Sequence, residues 1–149
     1  MLKGIDPLLN ADVLRALRAM GHGDVIVVVD GNFPAESTAR RTVSGELLRI
    51  DASAPRAVEA VLSVMPLDTF VDGAVRTMAV VDSPDEVQEV HREIAEVVRR
   101  AEGRDVPVER VERFAFYDLA RAAYAILQVA EPRFYANFAL VKGVVAPDG

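Results

Sequence analysis

Two side chains capable of acid–base chemistry flank one apolar segment near the start of the chain. His22 lies between two glycines in Gly21-His22-Gly23-Asp24, and Asp30 directly follows the apolar run Val25–Val29. An imidazole donates and accepts protons near neutral pH, and flanking glycines let a ligand approach it closely. The pattern therefore indicates proton transfer. The alternative is that His22 caps the end of a helix and Asp30 begins a turn.

The spacing of these two side chains raises a geometric difficulty. Asp30 follows His22 by eight positions, and a strand advances about 3.3 Å per residue, so an extended chain would hold the two roughly 25 Å apart. They can share one site only if the His22 loop folds back or if different subunits contribute them. The second arrangement would make oligomerisation part of the site.

Two aromatic-rich segments form a second candidate region. Arg113–Tyr117 and Arg133–Asn137 together hold five of the nine aromatic residues. Aromatic faces combined with guanidinium, hydroxyl and amide groups suit a polyhydroxylated ligand such as a sugar, which needs hydrogen-bond partners and an apolar surface. The alternative is an aromatic core cluster with arginines on the surface.

Composition excludes several classes of protein. The 149 residues carry 17 Lys and Arg against 23 Asp and Glu, a net charge of −6 that argues against a phosphate-backbone binder. Because the chain has no cysteine, disulfide scaffolds, thiolate zinc sites and cysteine nucleophiles are excluded. The apolar run Val25–Val29 is far too short to span a bilayer. No signal-peptide apolar region is present, so we expect a cytoplasmic protein without nucleic-acid or membrane partners.

Common catalytic motifs are absent from the sequence. It contains no GxGxxG, Walker phosphate loop, GxSxG elbow or HExxH. Proton-transfer chemistry remains, since it needs only one histidine and a carboxylate. The second histidine, His91, lies among Glu89, Arg92 and Glu93, and the amphipathic pattern predicts that it is solvated.

The hydrophobic pattern predicts alternating helices and strands, and hence a single α/β domain over residues 1–149. Helices are expected to cover a largely parallel or mixed sheet. The predicted elements are a helix from Asn10 to Gly21, a strand Val25–Val29, a loop 36–41, a strand Leu47–Ile50, a helix from Ser53 to Pro66, a strand Val75–Val81, a helix opened by a capping box at Ser83–Glu86 and closed by Gly103, a strand Val106–Val111, a helix Tyr117–Val129 and a strand Phe138–Val145.

Several separated motifs carry a resemblance to a known family. In order and spacing, the sequence resembles the RbsD/FucU family of sugar mutarotases from residue 1 to Lys142-Gly143. The Arg113–Tyr117 segment is similar to the L-fucose mutarotase branch. The matching motifs are Met1–Ile5, Pro7–Leu9, Gly21–Asp24, Asp30–Ala35 and Arg113–Tyr117.

This resemblance implies a fold, an activity and a site. It implies an isomerase with an RbsD-like α/β fold that interconverts the anomers of a free aldose without a cofactor or a metal. It also implies a ring-based homo-oligomer, often a decamer, with the monosaccharide between adjacent subunits. The implied roles are His22 as proton donor and Asp30, Arg113, Tyr135, Ala136 and Asn137 as sugar contacts, with Tyr117 as a further candidate.

Two departures from the family pattern concern the sugar rather than the reaction. Ala136 replaces the glycine that usually lies between the tyrosine and the asparagine, and Gly31 and Asn32 replace the Ala-His pair of some members of the fucose branch. D-ribose pyranase activity and a non-catalytic sugar-binding role therefore stay open as alternatives.

Overall fold

Eleven helices and strands alternate along residues 1–147, the part of the chain that the computed structural model describes. Their alternation confirms the predicted α/β class. In chain order they are α1 Ala11–Ala19, β1 Val25–Val29, α2 Ala35–Ala39, β2 Leu47–Ile50, α3 Ala54–Leu62, β3 Val75–Met78, α4 Glu89–Glu102, β4 Val108–Val111, α5 Arg113–Ala122, β5 Ala125–Val129 and β6 Phe138–Val141.

The six strands form one mixed sheet in the order β2-β5-β1-β6-β3-β4. β1 pairs in parallel with β5, and β5 with β2, while β6 runs antiparallel to both β1 and β3. Because β1 and β6 are antiparallel neighbours, the start of β1 lies beside the end of β6. This pairing brings the segment before β1, Gly23 and Asp24, next to Lys142, which follows β6.

Helices cover the sheet on both faces, as the unbroken apolar strands predict. Side chains of β1 alternate between two cores: Ile26 and Val28 pack against α1, α3 and α4, whereas Val27 and Val29 pack against α2 and α5. All four are fully buried. Burial on both faces fixes the register of β1, and with it the positions of the residues that precede and follow the strand.

The predicted helix Tyr117–Val129 is wrong in both its bounds and its type. The helix α5 begins at Arg113, where the side chain of Glu112 accepts hydrogen bonds from the amides of Phe114 and Ala115. The second half of the predicted helix is instead the strand β5, which lies between β1 and β2. A short run of Ala, Ile, Leu and Val suits either element, and here pairing with two neighbouring strands decides.

The predicted capping box at Ser83–Glu86 is also wrong. Those residues form an exposed turn, and α4 begins three residues after it, at Glu89, with Gln88 as its N-cap. The buried stripe of the helix starts at Val90, whereas Val87 is 37% exposed, so burial of the apolar face determines where the helix starts.

Other differences are small. The predicted loop 36–41 contains the short helix α2, whose residues Ala35, Thr38 and Ala39 are buried against β5 and α5. The strands β3, β4 and β6 are shorter than predicted, with the bounds given above. The predicted cap at Asn10 and the left-handed Gly103 that ends α4 are both confirmed.

Candidate active site

His22 is paired with a buried carboxylate at the amino end of β1. Its Nε2 lies 3.0 Å from Oδ1 of Asp68, and its side chain is 46% exposed whereas that of Asp68 is 2% exposed. The amide of Phe70 donates to the same Oδ1 at 2.9 Å. This backbone hydrogen bond, followed by the contact with His22, holds the pKa of Asp68 below its ordinary value. A carboxylate that stays charged can orient an imidazole and stabilise its protonated form.

The sequence analysis did not single out Asp68. It follows the predicted end of a helix at Pro66 and belongs to no recognisable motif, so nothing in the spacing connects it with His22. The structure makes that connection through β6: the amide of Asp68 donates to the carbonyl of Val141, and Leu67 forms an isolated bridge with Lys142.

Lys142 holds the His22 loop against the end of α1. Its Nζ donates to the carbonyls of Leu17 and Met20 at 2.7 and 2.5 Å, which are the open acceptors at the helix end. Its backbone also exchanges hydrogen bonds with Gly23 and Asp24. A helix end is indeed next to His22, but Lys142 is the side chain that caps it.

Gly143 allows the segment before Asp68 to approach β6 closely. A Cβ at position 143 would collide with the carbonyl of Leu67 and come within 2.9 Å of the Asp68 amide nitrogen. The amide of Gly143 donates to Pro66 at 2.8 Å. The bare backbone at this position therefore sets the distance between Asp68 and the sheet.

A cavity of about 340 Å³ lies at the opposite, carboxyl end of β1. Its lining combines hydrogen-bonding groups with aromatic faces. It includes five of the predicted site residues, Asp30, Arg113, Tyr117, Tyr135 and Asn137, together with Phe33 and Phe134. The two aromatic-rich segments and the end of β1 thus meet as the sugar-site prediction requires. A larger cavity of about 640 Å³ adjoins this one and shares Val81 and Arg113 with it.

Asp30 and Asn137 form a closed pair at the floor of this cavity. The Nδ2 of Asn137 donates to Oδ2 of Asp30 at 3.0 Å, and the Asp30 amide donates back to Oδ1 of Asn137 at 3.1 Å. The amides of Asn32 and Phe33 donate to the other carboxylate oxygen. Burial nevertheless raises the pKa of Asp30, because the surrounding donors offset its desolvation only in part.

Tyr135 adopts a backbone conformation that is rare for its residue type, with φ at +60°. Its hydroxyl accepts a hydrogen bond from the amide of Val81 at 3.3 Å. The next residue, Ala136, is completely buried, so its side chain does not line the cavity. Its backbone amide instead lies close enough to Asp30 to lower the pKa of that carboxyl.

Arg113 lies at the first position of α5, beside the cavity. Its guanidinium carbon is 5.4 Å from the ring centre of Phe114 and 5.7 Å from that of Tyr117. The Tyr117 ring in turn lies 5.5 Å from Phe33. Stacking on aromatic faces orients a guanidinium whose donors stay available to a ligand.

The structure does not bring His22 to this cavity. β1 separates His22 from Asp30, and five strand residues alone span roughly 15 Å. Within the chain, the carboxylate partner of His22 is Asp68 rather than Asp30. Each end of β1 therefore carries part of the predicted site.

The prediction of a solvated His91 is wrong. The residue is 4% exposed, and its Nε2 lies 2.9 Å from the carbonyl oxygen of Tyr135. Its charged sequence neighbours point outward while the first turn of α4 turns this position towards β6. A single polar residue on a helical pattern cannot be assigned to one face without the neighbouring elements.

Comparison with known proteins decides the family. The sequence profile of the RbsD / FucU transport protein family matches residues 3–145. The chain belongs to the RbsD/FucU family. The resemblance carried by the sequence motifs is therefore confirmed over nearly the whole chain.

Relatives of this RbsD/FucU protein include mutarotases and solved structures. The fucose mutarotase of Homo sapiens is 40% identical, over 97% of this chain and 95% of its own length. The crystal structure of protein Atu2016 is 51% identical with a TM-score of 0.95, covering 98% of this chain and 97% of the other. The crystal structure of the fucose mutarotase from Streptococcus pneumoniae in complex with L-fucose is 35% identical with a TM-score of 0.87, covering 97% and 100%.

Two further features of this family member concern residues 1–147. No helix there is both long and apolar enough to cross a membrane. Within the same part of the chain, no three His, Asp or Glu side chains converge in a group suited to a metal ion.

Proposed function

We propose that this protein is an aldose mutarotase that interconverts the α and β anomers of L-fucose. The full-length similarity to fucose mutarotases carries the proposal. The geometry supports it, because one end of β1 offers a proton-exchanging imidazole and the other a polar cavity with aromatic walls. Neither feature requires a cofactor or a metal, and we propose that the reaction uses none.

In the proposed mechanism His22 moves the protons. Ring opening takes a proton from the anomeric hydroxyl, gives one to the ring oxygen and breaks the bond between that oxygen and the anomeric carbon. Rotation of the resulting aldehyde and the reverse proton transfers close the ring on the other face. The Nε2–H of His22 faces Asp68, so Nδ1 is the nitrogen free for exchange. General acid–base catalysis of this kind contributes about 10²–10⁴-fold.

In this proposal the sugar binds in the cavity at the carboxyl end of β1. The two oxygens of Asp30 already accept hydrogen bonds from Asn32, Phe33 and Asn137. Because Oδ2 accepts from Asn137 alone, it keeps an acceptor site with which it can anchor a sugar hydroxyl beside Asn137. Arg113 and Tyr135 orient further hydroxyls, Ala136 contributes its backbone, and Tyr117 packs against the sugar face.

We propose further that adjacent subunits of a homo-oligomer complete the site. Exposed phenylalanines lie at both ends of β1: Phe70 is 73% exposed and 5.4 Å from the His22 ring, and Phe134 is 70% exposed at the cavity. Large exposed apolar side chains are typical of protein interfaces. A ring-based decamer that joins the His22 end of one copy to the cavity of the next is the assembly that the family resemblance implies, and a cytoplasmic location is part of the same proposal.

Saturation-transfer NMR on a panel of sugars tests the function. Irradiating the α-anomer signal of L-fucose should reduce the β signal in proportion to the exchange rate, well above the spontaneous rate. D-ribose exchange that exceeds L-fucose exchange would favour the pyranase alternative. Binding of L-fucose without accelerated exchange would favour a non-catalytic sugar-binding protein. The same panel thus separates all three functions.

A further inference from the structure

His91 occupies a buried position whose hydrogen bonds define its tautomer. Its Nδ1 lies 3.4 Å from the amide nitrogen of Gln88, which can only donate. Nδ1 is therefore the acceptor, and Nε2 carries the hydrogen that is donated to the Tyr135 carbonyl at 2.9 Å. The ring also packs edge-on against Phe138, with centres 5.8 Å apart and planes at 90°.

The carbonyl that accepts from His91 belongs to the peptide that faces Asp30. In a trans peptide the C=O and the following N–H point in opposite directions. Here the C=O of Tyr135 accepts from His91, and the N–H of Ala136 on the other side of the peptide lies close enough to Asp30 to lower the pKa of that carboxyl. A donor at position 91 thus sets the direction of the Ala136 amide.

The same peptide follows a strained residue. Tyr135 has φ at +60°, a conformation that costs an ordinary side chain free energy unless its surroundings enforce it. Three contacts surround this segment: the Tyr135 hydroxyl with Val81, its carbonyl with His91, and two hydrogen bonds of 3.0 and 2.9 Å between Arg133 and Glu93. Of these three contacts, the one with His91 is made directly by the carbonyl of the strained residue.

We propose that His91 is a positioning residue for the sugar cavity, which orients the Tyr135–Ala136 peptide so that its amide faces Asp30 and the Tyr135 ring faces the ligand. The identity of the ligand rests on the proposed function, whereas the effect on the peptide does not. His91 touches no substrate in this arrangement. It acts through the backbone of the segment 130–137.

Protonation of His91 should limit the pH range over which the Tyr135–Ala136 peptide keeps this orientation. Burial lowers the pKa of His91, so the ring is neutral at neutral pH. The groups that face it are Thr77 of β3, Tyr135, and the charges of Arg110 on β4, Arg92 on its own helix and Glu86 in the preceding turn. Protonation would place a second N–H opposite the Gln88 amide, and the two donors would repel each other. The peptide should therefore lose its orientation in acid.

Two substitutions at position 91 separate hydrogen bonding from packing. His91→Phe keeps a ring against Phe138 but removes the donor. His91→Gln shortens the packing surface but keeps an N–H that can reach the Tyr135 carbonyl. Glu96→Gln is the matched control, because it breaks an exposed ion pair with Arg99 on the outer side of α4 and touches nothing in the segment 130–137.

The first measurement is hydrogen–deuterium exchange of the segment 130–137 at neutral pH, which needs no sugar. We expect faster exchange in His91→Phe, and wild-type protection in His91→Gln and Glu96→Gln. Wild-type protein should show the same loss of protection on acidification below the ordinary range for histidine. Unchanged protection in His91→Phe, or equal loss in the Phe and Gln variants, would overturn the proposal. If His91→Phe does not fold, the wild-type pH series and His91→Gln still decide it.

The second measurement is anomer exchange of L-fucose. His91→Phe should lower kcat/KM roughly 10-fold to 100-fold, as expected when a binding group is displaced by about 1 Å, with most of the change in KM. His91→Gln should recover most of that loss. If the wild-type protein accelerates no anomer exchange, the proposed function fails while the hydrogen-exchange result still stands. If it does accelerate exchange and His91→Phe leaves kcat/KM unchanged, the proposal for His91 fails alone.

Discussion

A buried carboxylate lies near each end of β1, and the pKa values of the two are shifted in opposite directions. At the amino end Asp68 is held in its charged form, with a pKa below the ordinary value, beside a half-exposed imidazole. At the carboxyl end burial raises the pKa of Asp30, which lies in a ring of hydrogen bonds with Asn137 and neighbouring amides. This contrast is consistent with the proposal that His22 exchanges protons at one end and that Asp30 helps to hold the sugar at the other.

This difference is one reason why we propose that each chain supplies only part of a site. The cavity at the carboxyl end of β1 contains no histidine among its lining residues within 1–147. Substitutions at the two ends should therefore affect different kinetic constants. A variant at one end that changes the kinetic constant expected from the other end would contradict this division of roles.

The largest effect is expected from His22→Gln. The amide cannot exchange protons as an imidazole does, so kcat for L-fucose exchange should fall about 10²–10⁴-fold. The cavity at the other end is untouched, so sugar affinity measured by calorimetry should stay within about threefold of wild type. Saturation-transfer NMR measures the rate. Wild-type exchange in this variant would remove His22 from the mechanism.

Mixed oligomers provide the next largest effect. His22→Gln and Asp30→Asn should each be nearly inactive alone. If the site joins two copies, refolding an equal mixture should restore roughly a quarter of the sites, because half of the copies supply each intact end. Activity is measured after the mixed refolding and compared with each variant refolded alone. No recovery in the mixture would mean that one chain supplies the whole site.

Asp68→Asn should have an intermediate effect. The amide keeps the shape but loses the charge that stabilises a protonated His22, so kcat should fall about 10-fold to 100-fold, below the full contribution of general acid–base catalysis. The lowered pKa also predicts a pH dependence. The carboxylate stabilises the fold above the ordinary pKa of 3.8, and this stabilisation is lost as the pH falls through the lowered value.

Thermal unfolding checks the sign of that pH dependence. The difference in Tm between wild type and Asp68→Asn should be largest near neutral pH and shrink below about pH 4. A difference that grows in acid would show that Asp68 is not a charged partner of His22.

Arg113→Gln should change binding rather than catalysis. Losing a guanidinium that donates to sugar hydroxyls should raise KM about tenfold, which corresponds to the loss of one charged hydrogen bond. The value of kcat should stay near that of wild type, in contrast with His22→Gln. Full progress curves over a range of L-fucose concentrations separate the two constants. A fall in kcat at unchanged KM would show that Arg113 takes part in proton transfer rather than in sugar binding.

The smallest effect is expected from Lys142→Met. The variant keeps the apolar stem but leaves the carbonyls of Leu17 and Met20 without their charged donor. Folding should be destabilised by about 1–3 kcal/mol, with little effect on sugar affinity. Chemical denaturation measures the loss, and Lys3→Met, at an exposed position, is the control.

Sequence patterns predicted the fold well where the local pattern fits only one type of element. The run Val25–Val29 reads as a strand buried on both faces, and it is one. The segment Ala125–Val129 has the same apolar character but follows an alanine-rich helix, so only its pairing between β1 and β2 distinguishes a strand from a helix. Local patterns cannot supply that information.

The same limit applies to the candidate site. Five site residues belong to sequence motifs, which is why the sequence analysis identified them. In the structure all five line one cavity: Asp30, Arg113, Tyr117, Tyr135 and Asn137. Asp68 and His91 lie in segments without motifs, and their roles come from contacts with β6 and with the segment 130–137. Contacts over such distances along the chain depend on the order of the strands, which the sequence pattern does not reveal.

Gly143 is a position at which the chain should tolerate no substitution, although it lies outside the proposed site. It faces no proposed ligand, yet any side chain there would push Leu67 away from β6 and carry the carboxylate at position 68 with it. In a mutational scan scored by growth on a single sugar, position 143 would therefore behave like a member of the reaction centre. Its intolerance would reflect steric crowding two residues from the end of β6, without any contact to the molecule being converted.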